Sequence, residues 1–503
     1  MTEGRVVIIG AGMGGLSAAI TLSARGVPVT VIEKAAEPGG KMRQIPYGAG
    51  IDAGPTVFTM RWVFEELFGR AGWDLESALS LQQATCLARH VWADGSAQKG
   101  GRFDLWADPE QAADAVGAFS GAAQVEGFQR FLKDAGRIHD TLRDSFMAAS
   151  RPGPVELARR VGFHRMSEML ALRPFSTMWG ALGDYFQDPR LRQLFGRYAT
   201  YVGSSPYLAP ATLMLIAHVE CQGVWLVKGG MIALARAMRD CAAAHGAEFR
   251  FGEAVEQIET TRGRATAVIT EQGERIAARA VIANTDVSAL GAGHLGAAVR
   301  RAALPVPPRE RSLSAITWAG LAEVEGFPLT RHTVFFSDAY QAEFSAIFGE
   351  SRVPDQPTVY ICAQDRDDLG NRTGDGPERV LCLINAPAIG DRHAFSDDEI
   401  SRAQMAMHRI LEGRGLKLRL DAEACAVTTP TGFEALFPGS GGALYGRASH
   451  GWTASFQRGG AETRIPGLYL AGGSVHPGAG VPMATLSGRI AAEAVLALLG
   501  ASR

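Results

Sequence analysis

The chain has 503 residues, 47% hydrophobic and 20% charged, with 50 Lys and Arg against 52 Asp and Glu. A net charge of −2 lacks the basic surplus of a nucleic-acid binder, and the apolar content excludes wholesale disorder. At roughly 150 residues per domain the length predicts two to four domains. The cysteines Cys86, Cys221, Cys241, Cys362, Cys382 and Cys425 are scattered, with no CxxC pair and no His/Cys cluster. Neither a metal site nor a disulfide framework is expected, and the pattern suits a reducing cytoplasm. Glycine is in excess at 60 residues, and its runs carry the reading.

In chain order, residues 5–9 form a β-branched run, the pattern of a parallel strand buried on both faces. Gly10-Ala11-Gly12-Met13-Gly14-Gly15 follows at once, then an Ala- and Leu-rich helix over 16–25 that Gly26 terminates. Residues 29–32 predict a second strand, ending in Glu33. Strand, glycine turn, helix, strand and acidic residue in that order form a dinucleotide-binding fingerprint. Gly10 permits the tight turn, Gly12 lets backbone approach a pyrophosphate, and Gly15 lets the helix pack on the strand. The helix N-terminus offers N–H groups to the anion, and Glu33 is placed to bind ribose hydroxyls. Residues 6–22 look superficially like a signal-peptide core. Glu3 beside Arg5 and the interrupting glycines argue against one, so the protein is expected in the cytoplasm or on a membrane face. The longest nearly apolar stretch, 207–219, contains Pro210 and His218 and falls short of the roughly 20 residues of a membrane span.

Beyond Glu33 come Pro38-Gly39-Gly40-Lys41 and Ile51-Asp52-Ala53-Gly54-Pro55-Thr56-Val57. With these blocks the sequence resembles the FAD-binding superfamily of amine oxidases and carotenoid desaturases. Its extended fingerprint usually ends in Arg; here Lys41 keeps the charge without the planar fork. The resemblance implies FAD as cofactor, held by Gly10, Gly12, Gly14, Gly15, Glu33, Lys34, Gly40 and Lys41. Gly54 and Thr56 would approach the flavin. Gly223-Val-Trp-Leu-Val-Lys-Gly-Gly-Met231 before a helix at 232–244 resembles a stretch of bacterial phytoene-type desaturases. Residues 249–258 and 279–286 read as strands returning to the FAD domain, with Val255 matching the residue whose backbone contacts adenine. At the far end, a strand over 465–471 leads into Gly472-Gly-Ser-Val-His-Pro-Gly-Ala-Gly480, and Val481-Pro482 open a helix over 483–499. Gly473, Pro482, Met483 and Ala484 complete the cofactor set, and His476 is read as near the cofactor rather than as a catalytic base.

The match runs nearly end to end, and the chain resembles the bacterial phytoene-type desaturases. Met483 after Pro482, with the segments 384–387 and 437–446, makes it more similar to the hydroxycarotenoid 3,4-desaturases of purple phototrophic bacteria. Phytoene desaturase and a protoporphyrinogen or amine oxidase are the alternatives. The resemblance implies hydride loss from C4 of a 1-hydroxycarotenoid to the flavin, proton loss from C3, and no metal. Asp188 and Arg192, at i and i+4, match a charged pair of the desaturases and are the candidate catalytic residues. Asp188 before Pro189 equally reads as a helix N-cap, and the residue order favours that reading. A carotenoid must enter from a bilayer. The basic and apolar stretch 155–178 reads equally as an interfacial element or as an amphipathic helix packed on the substrate domain; the substrate itself places the protein peripherally on the cytoplasmic face of the inner, photosynthetic membrane. The expected fold is α/β: a discontinuous Rossmann-type FAD-binding domain (1–75, 221–290, 441–503), a substrate and membrane-associating helical region (76–220) and an inserted α+β substrate domain (291–440).

Overall fold

Five parallel strands form one sheet in the order Leu468–Leu470, Ala280–Ala283, Val6–Ile9, Val29–Glu33, Glu248–Phe251, as seen in a computed structural model that describes residues 5–94, 100–162, 173 and 175–500. Alternation explains how a strand such as Val6–Ile9, buried along its whole length, serves two layers. Val6 and Ile8 pack with helices Met13–Ser23, Ile232–Ala244 and Val481–Gly500, while Val7 and Ile9 pack with Ile258, Val268 and Ile276. Those last three belong to an antiparallel sheet of strands Val255–Thr261, Arg264–Thr270 and Arg275–Ala277.

The residues 249–258, expected as one returning strand, are two. Gly252 adopts φ +69, and the chain leaves the parallel sheet after Phe251 to begin the antiparallel one at Val255. The first helix starts at Met13, earlier than its apolar run suggested, and the last spans Val481–Gly500. By length and composition that last helix is apolar enough to cross a membrane, although Arg489 and Glu493 interrupt its apolar run in sequence. Its residues Thr485–Ala492 are nevertheless buried against the first helix, where a Cβ on Gly488 would stand 2.0 Å from the Gly14 carbonyl oxygen.

A seven-stranded sheet lies beyond, ordered Lys417–Thr428, Ser314–Glu325, Glu378–Ala386, Val359–Ala363, His332–Phe335, Cys86–Trp92, Gly101–Trp106. Its one parallel pairing, His332–Phe335 with Cys86–Trp92, joins the segments either side of the returning strands. Helix Asp397–Glu412, begun by a Ser396/Glu399 capping box, covers one part with Met407, Ile410 and Leu411. Helices Ala123–Leu142, Pro189–Gly196 and Leu215–Cys221 form a further core around Phe128, Phe131, Phe186 and Phe195. Of the stretch 155–178, residues 163–172 and 174 lie outside the described residues.

Candidate functional site

The first helix begins at Gly12 with no side-chain cap. Its opening N–H groups therefore have neither an intrahelical acceptor nor a capping oxygen, the arrangement that receives a phosphate. Glu33 ends its strand 7% exposed; Oε2 accepts from the Ala11 N–H at 2.7 Å and Oε1 from Ala35 N–H at 2.9 Å. The carboxylate thus fixes the glycine loop before any ribose arrives. A Cβ on Gly15 would stand 2.0 Å from the Gly10 carbonyl oxygen, so helix and strand touch through backbone there. Gly12 and Gly14 have a second reason to lack side chains: added Cβ atoms would meet Asn284 at 2.8 and 2.6 Å. Asn284 donates to the Gly10 carbonyl at 3.2 Å and also crowds Gly472, tying the two glycine junctions together. It was missed because a single Asn after a strand carries no motif.

Gly40 lies against Gly12, with its Cβ position 3.2 Å from Gly12 Cα. Lys34 Nζ donates to the Leu436 carbonyl, and partial burial lowers its pKa. Lys41 is deeper. Its ammonium donates to the Leu444 carbonyl at 2.6 Å and lies over the Phe437 ring, and burial pushes its pKa down from the ordinary lysine value. A Cβ on Gly54 would fall 1.9 Å from the Lys41 carbonyl oxygen, so the two motif segments touch through backbone. Asp52 accepts from Met231 N–H at 2.7 Å, which joins the Asp-x-Gly-Pro and Gly-Gly-Met blocks. Val255 packs partly buried beside the sheet core that includes Ile9 and Ile32. Gly473 gives its carbonyl to the buried Arg458 at 2.9 Å, and Ala484 N–H reaches the Gly480 carbonyl at 2.9 Å.

One cavity of about 420 Å³ connects these segments. Lys41, Gly54, Thr56, Arg458, Pro482 and Met483 line one part; Leu142, Phe146, Met147, Leu213, Ile216 and Val219 line another. Thr56 shares a 2.7 Å hydrogen bond with the Tyr360 hydroxyl, which lies 2.8 Å from His332 Nδ1. Burial and the charge of Arg331 depress His332 to about 3, so the imidazole is neutral. Arg197, Tyr201 and Glu220 also line the cavity. Of this polar group only Thr56 was legible in sequence, because the others come from elements that carry no shared motif.

Arg192 N–H donates to the Asp188 carbonyl at 3.3 Å, but the side chains of Asp188 and Arg192 take different partners. Asp188 caps helix Pro189–Gly196 through the Arg190 N–H, pairs with the Arg190 guanidinium at 2.6 Å and accepts from Ser120 at 2.7 Å. Although burial opposes ionisation, its bonds to Arg190 and Ser120 hold its pKa below the ordinary carboxylate value. Arg192 instead lies over Trp179 and donates to that residue's carbonyl. Neither residue is among those that line the cavity. His476 is buried, its Nε2 3.0 Å from the Ala149 carbonyl, and burial lowers it to about 4. His139, Asp140 and His218 converge, their rings and carboxylate close enough to resemble a ligand set that the spacing had not suggested.

The flavin containing amine oxidoreductase profile matches residues 13–496. The chain belongs to that family. As a member, it takes FAD as its cofactor, and the uncapped helix, the glycine cradle and Glu33 suit a dinucleotide. It is 48% identical over 98% of its length, and 94% of the other protein, to a hydroxyneurosporene desaturase of Rubrivivax gelatinosus. A 1-hydroxycarotenoid 3,4-desaturase of Flavobacterium sp. is 31% identical, covering 98% of this chain and 99% of that one. Among solved structures, an oxidoreductase of Methanosarcina mazei superposes with a TM-score of 0.61 at 16% identity, covering 98% and 100% of the two chains, which establishes a shared fold.

Proposed function

We propose that this flavoenzyme introduces a double bond between C3 and C4 of a 1-hydroxylated acyclic carotenoid while seated on a membrane surface. One observation carries the reading: the cavity that begins at the flavin motif segments continues between the apolar side chains of Leu142, Phe146, Leu213, Ile216 and Val219. An apolar wall of that kind suits a polyene end and excludes water from the reacting carbons. Bound FAD supplies the two-electron acceptor for the hydride that leaves C4. The protein's part is to hold C4 against the cofactor, keep a helix N-terminus beside it at Val481 and keep the site dry. The proton from C3 has a neutral imidazole, His332, connected to the cavity through Tyr360 and Thr56.

Support for the membrane surface comes from exposed apolar residues. Phe175 is 78% exposed and Trp452 51%, with ring centroids 5.7 Å apart, and the Leu208 carbonyl accepts from Gly451 N–H. Ser449, three positions before Trp452, lines the cavity, so an apolar patch lies close to its wall. Arg151, which donates to the Phe456 carbonyl four positions after Trp452, adds a cation near this patch that suits anionic headgroups, on the cytoplasmic side of the inner membrane.

The test is expression in cells that make 1-hydroxyneurosporene. They should accumulate a pigment two hydrogens lighter that absorbs at longer wavelength, and purified protein should convert the same substrate faster in liposomes than in lipid-free buffer. Cells making only phytoene should stay colourless; coloured products there would overturn the branch of the reading.

A further inference from the structure

A cavity built only to hold a hydrocarbon has no use for a buried cation, yet this one contains Arg197. The residue opens a 3-10 segment, Arg197–Val202, directly after helix Pro189–Gly196. Its guanidinium lies deep in the protein between two rings, Tyr201 and Tyr360, at 5.4 and 5.5 Å from their centroids. Nη1 donates to the Tyr201 hydroxyl at 3.3 Å, a long bond. Among the described residues no carboxylate approaches it closely enough for an ion pair, whereas Arg89, Arg190 and Arg366 of similar burial each have one. Arg197 nonetheless retains accessible surface, and as a cavity-lining residue it turns that surface inward. A desolvated guanidinium with idle N–H groups calls for an acceptor.

Two roles are closed to it. Burial works to lower its pKa, but Tyr201, Tyr360 and Tyr340 more than offset that, so it stays charged and cannot take the proton from C3. Nor does a fixed positive charge favour hydride departure from a nearby carbon, where positive charge develops. What it can do is donate to a neutral oxygen. In a 1-hydroxycarotenoid the hydroxyl-bearing carbon is three bonds from C4, so that oxygen must lie in the same part of the cavity as the reacting carbon. Thr56, on a flavin motif segment, is joined by hydrogen bond to Tyr360, whose ring Arg197 covers. Glu220, held by the Tyr198 hydroxyl at 2.6 Å, also lines the cavity and offers the substrate hydroxyl an acceptor for its own hydrogen.

We infer that Arg197, with Tyr201 and Glu220, forms a subsite that binds the tertiary hydroxyl of the substrate and so selects hydroxylated over unsubstituted carotenoid ends. The subsite sets which chain end is presented to the cofactor, and it rests on the carotenoid reading above.

The experiment compares 1-hydroxyneurosporene with its 1,2-dihydro counterpart, in which hydrogen replaces the hydroxyl, both in liposomes of one composition. In the wild-type protein, quenching of intrinsic fluorescence should report tighter binding of the hydroxylated compound by about tenfold to a hundredfold, the scale of a hydrogen bond to a charged group. Arg197→Met should raise KM for the hydroxylated substrate by that factor, leave the dihydro compound within about twofold, and retain its flavin spectrum; Arg197→Lys should recover part of the preference. Equal wild-type affinities, or equal losses on both compounds in Arg197→Met, would overturn the subsite while leaving the desaturase reading in place. If the wild type converts neither compound, the desaturase reading itself falls.

Discussion

Replacement of Glu33 by Ala separates the carboxylate's two tasks. In the folded protein, before cofactor binds, Oε2 holds the Ala11 N–H at 2.7 Å and Oε1 the Ala35 N–H at 2.9 Å. Ala11 is fully buried, so its N–H loses a charge-assisted bond of about 1.5–3 kcal/mol with no water to replace it. Ala35 is exposed, so water recovers most of the second bond and the net loss there is about 0.5–1 kcal/mol. Glu33→Ala should therefore destabilise the apoprotein by about 2–4 kcal/mol, before any effect on cofactor. Loss of the ribose contact should separately weaken FAD by tenfold to a hundredfold. Glu33→Gln keeps one carbonyl oxygen for Ala11 and should cost about half as much stability. Urea unfolding of flavin-stripped protein measures the first quantity and titration with FAD the second. Unchanged apoprotein stability in Glu33→Ala would refute the argument that the carboxylate builds the loop.

Gly15→Ala, with its Cβ 2.0 Å from the Gly10 carbonyl oxygen, should yield protein without flavin absorbance. Gly26→Ala, where nothing lies within 4 Å but φ is +73, should cost only about 1 kcal/mol in urea unfolding and leave flavin content intact. Asp188→Asn should lose about 1–3 kcal/mol of stability, from its cap and its partly buried pair with Arg190, with kcat nearly unchanged; a hundredfold fall in kcat at preserved stability would restore its catalytic assignment. His332, at about 3, and His476, at about 4, are buried in the neutral form, and half-buried His450 is likewise lowered to about 4. Unfolding lets each take up a proton below its ordinary value of about 6.5, so stability is full above that pH and falls on acidification towards the folded values. Each contributes a slope of about 1.4 kcal/mol per pH unit, and His476→Asn should remove one such share from urea midpoints measured between about pH 6 and 4.5.

The cofactor half of the molecule was legible because its signals are local. A β-branched run, a glycine turn and an acidic strand end are consecutive in sequence, and Gly10 to Glu33 adopt that arrangement. The break at Gly252 was not legible: residues on either side carry the same strand pattern, and only tertiary pairing sends Glu248–Phe251 and Val255–Thr261 to different sheets. Asp188 was ambiguous for a physical reason, since a carboxylate before Pro is equally an N-cap, and only the neighbouring Arg190 side chain decides its partner. Lys41 and Thr56 apart, the polar residues in and around the cavity left no trace. Arg197, Glu220 and Tyr360, which line the cavity, and His332, bonded to Tyr360, stand on four separate elements and meet only once the seven-stranded sheet and the helical core have closed on the cofactor sheet.

The central strand of the cofactor sheet, Val6–Ile9, is synthesised well before one of the sheet's outer strands, Leu468–Leu470. The helix that covers Met13–Ser23 follows later still, at Val481–Gly500, docking glycine to glycine at Gly14 and Gly488. At about 5–20 residues per second, the opening strand and its helix therefore wait roughly half a minute to a minute and a half for the segments that enclose them. Throughout that interval Ile8, Leu16 and Ile20, fully enclosed in the finished protein, lack much of their apolar cover. The nascent chain is thus a long-lived client for apolar-binding chaperones, and termination shortly before residue 481 would release a product whose helix Met13–Ser23 remains unsheathed.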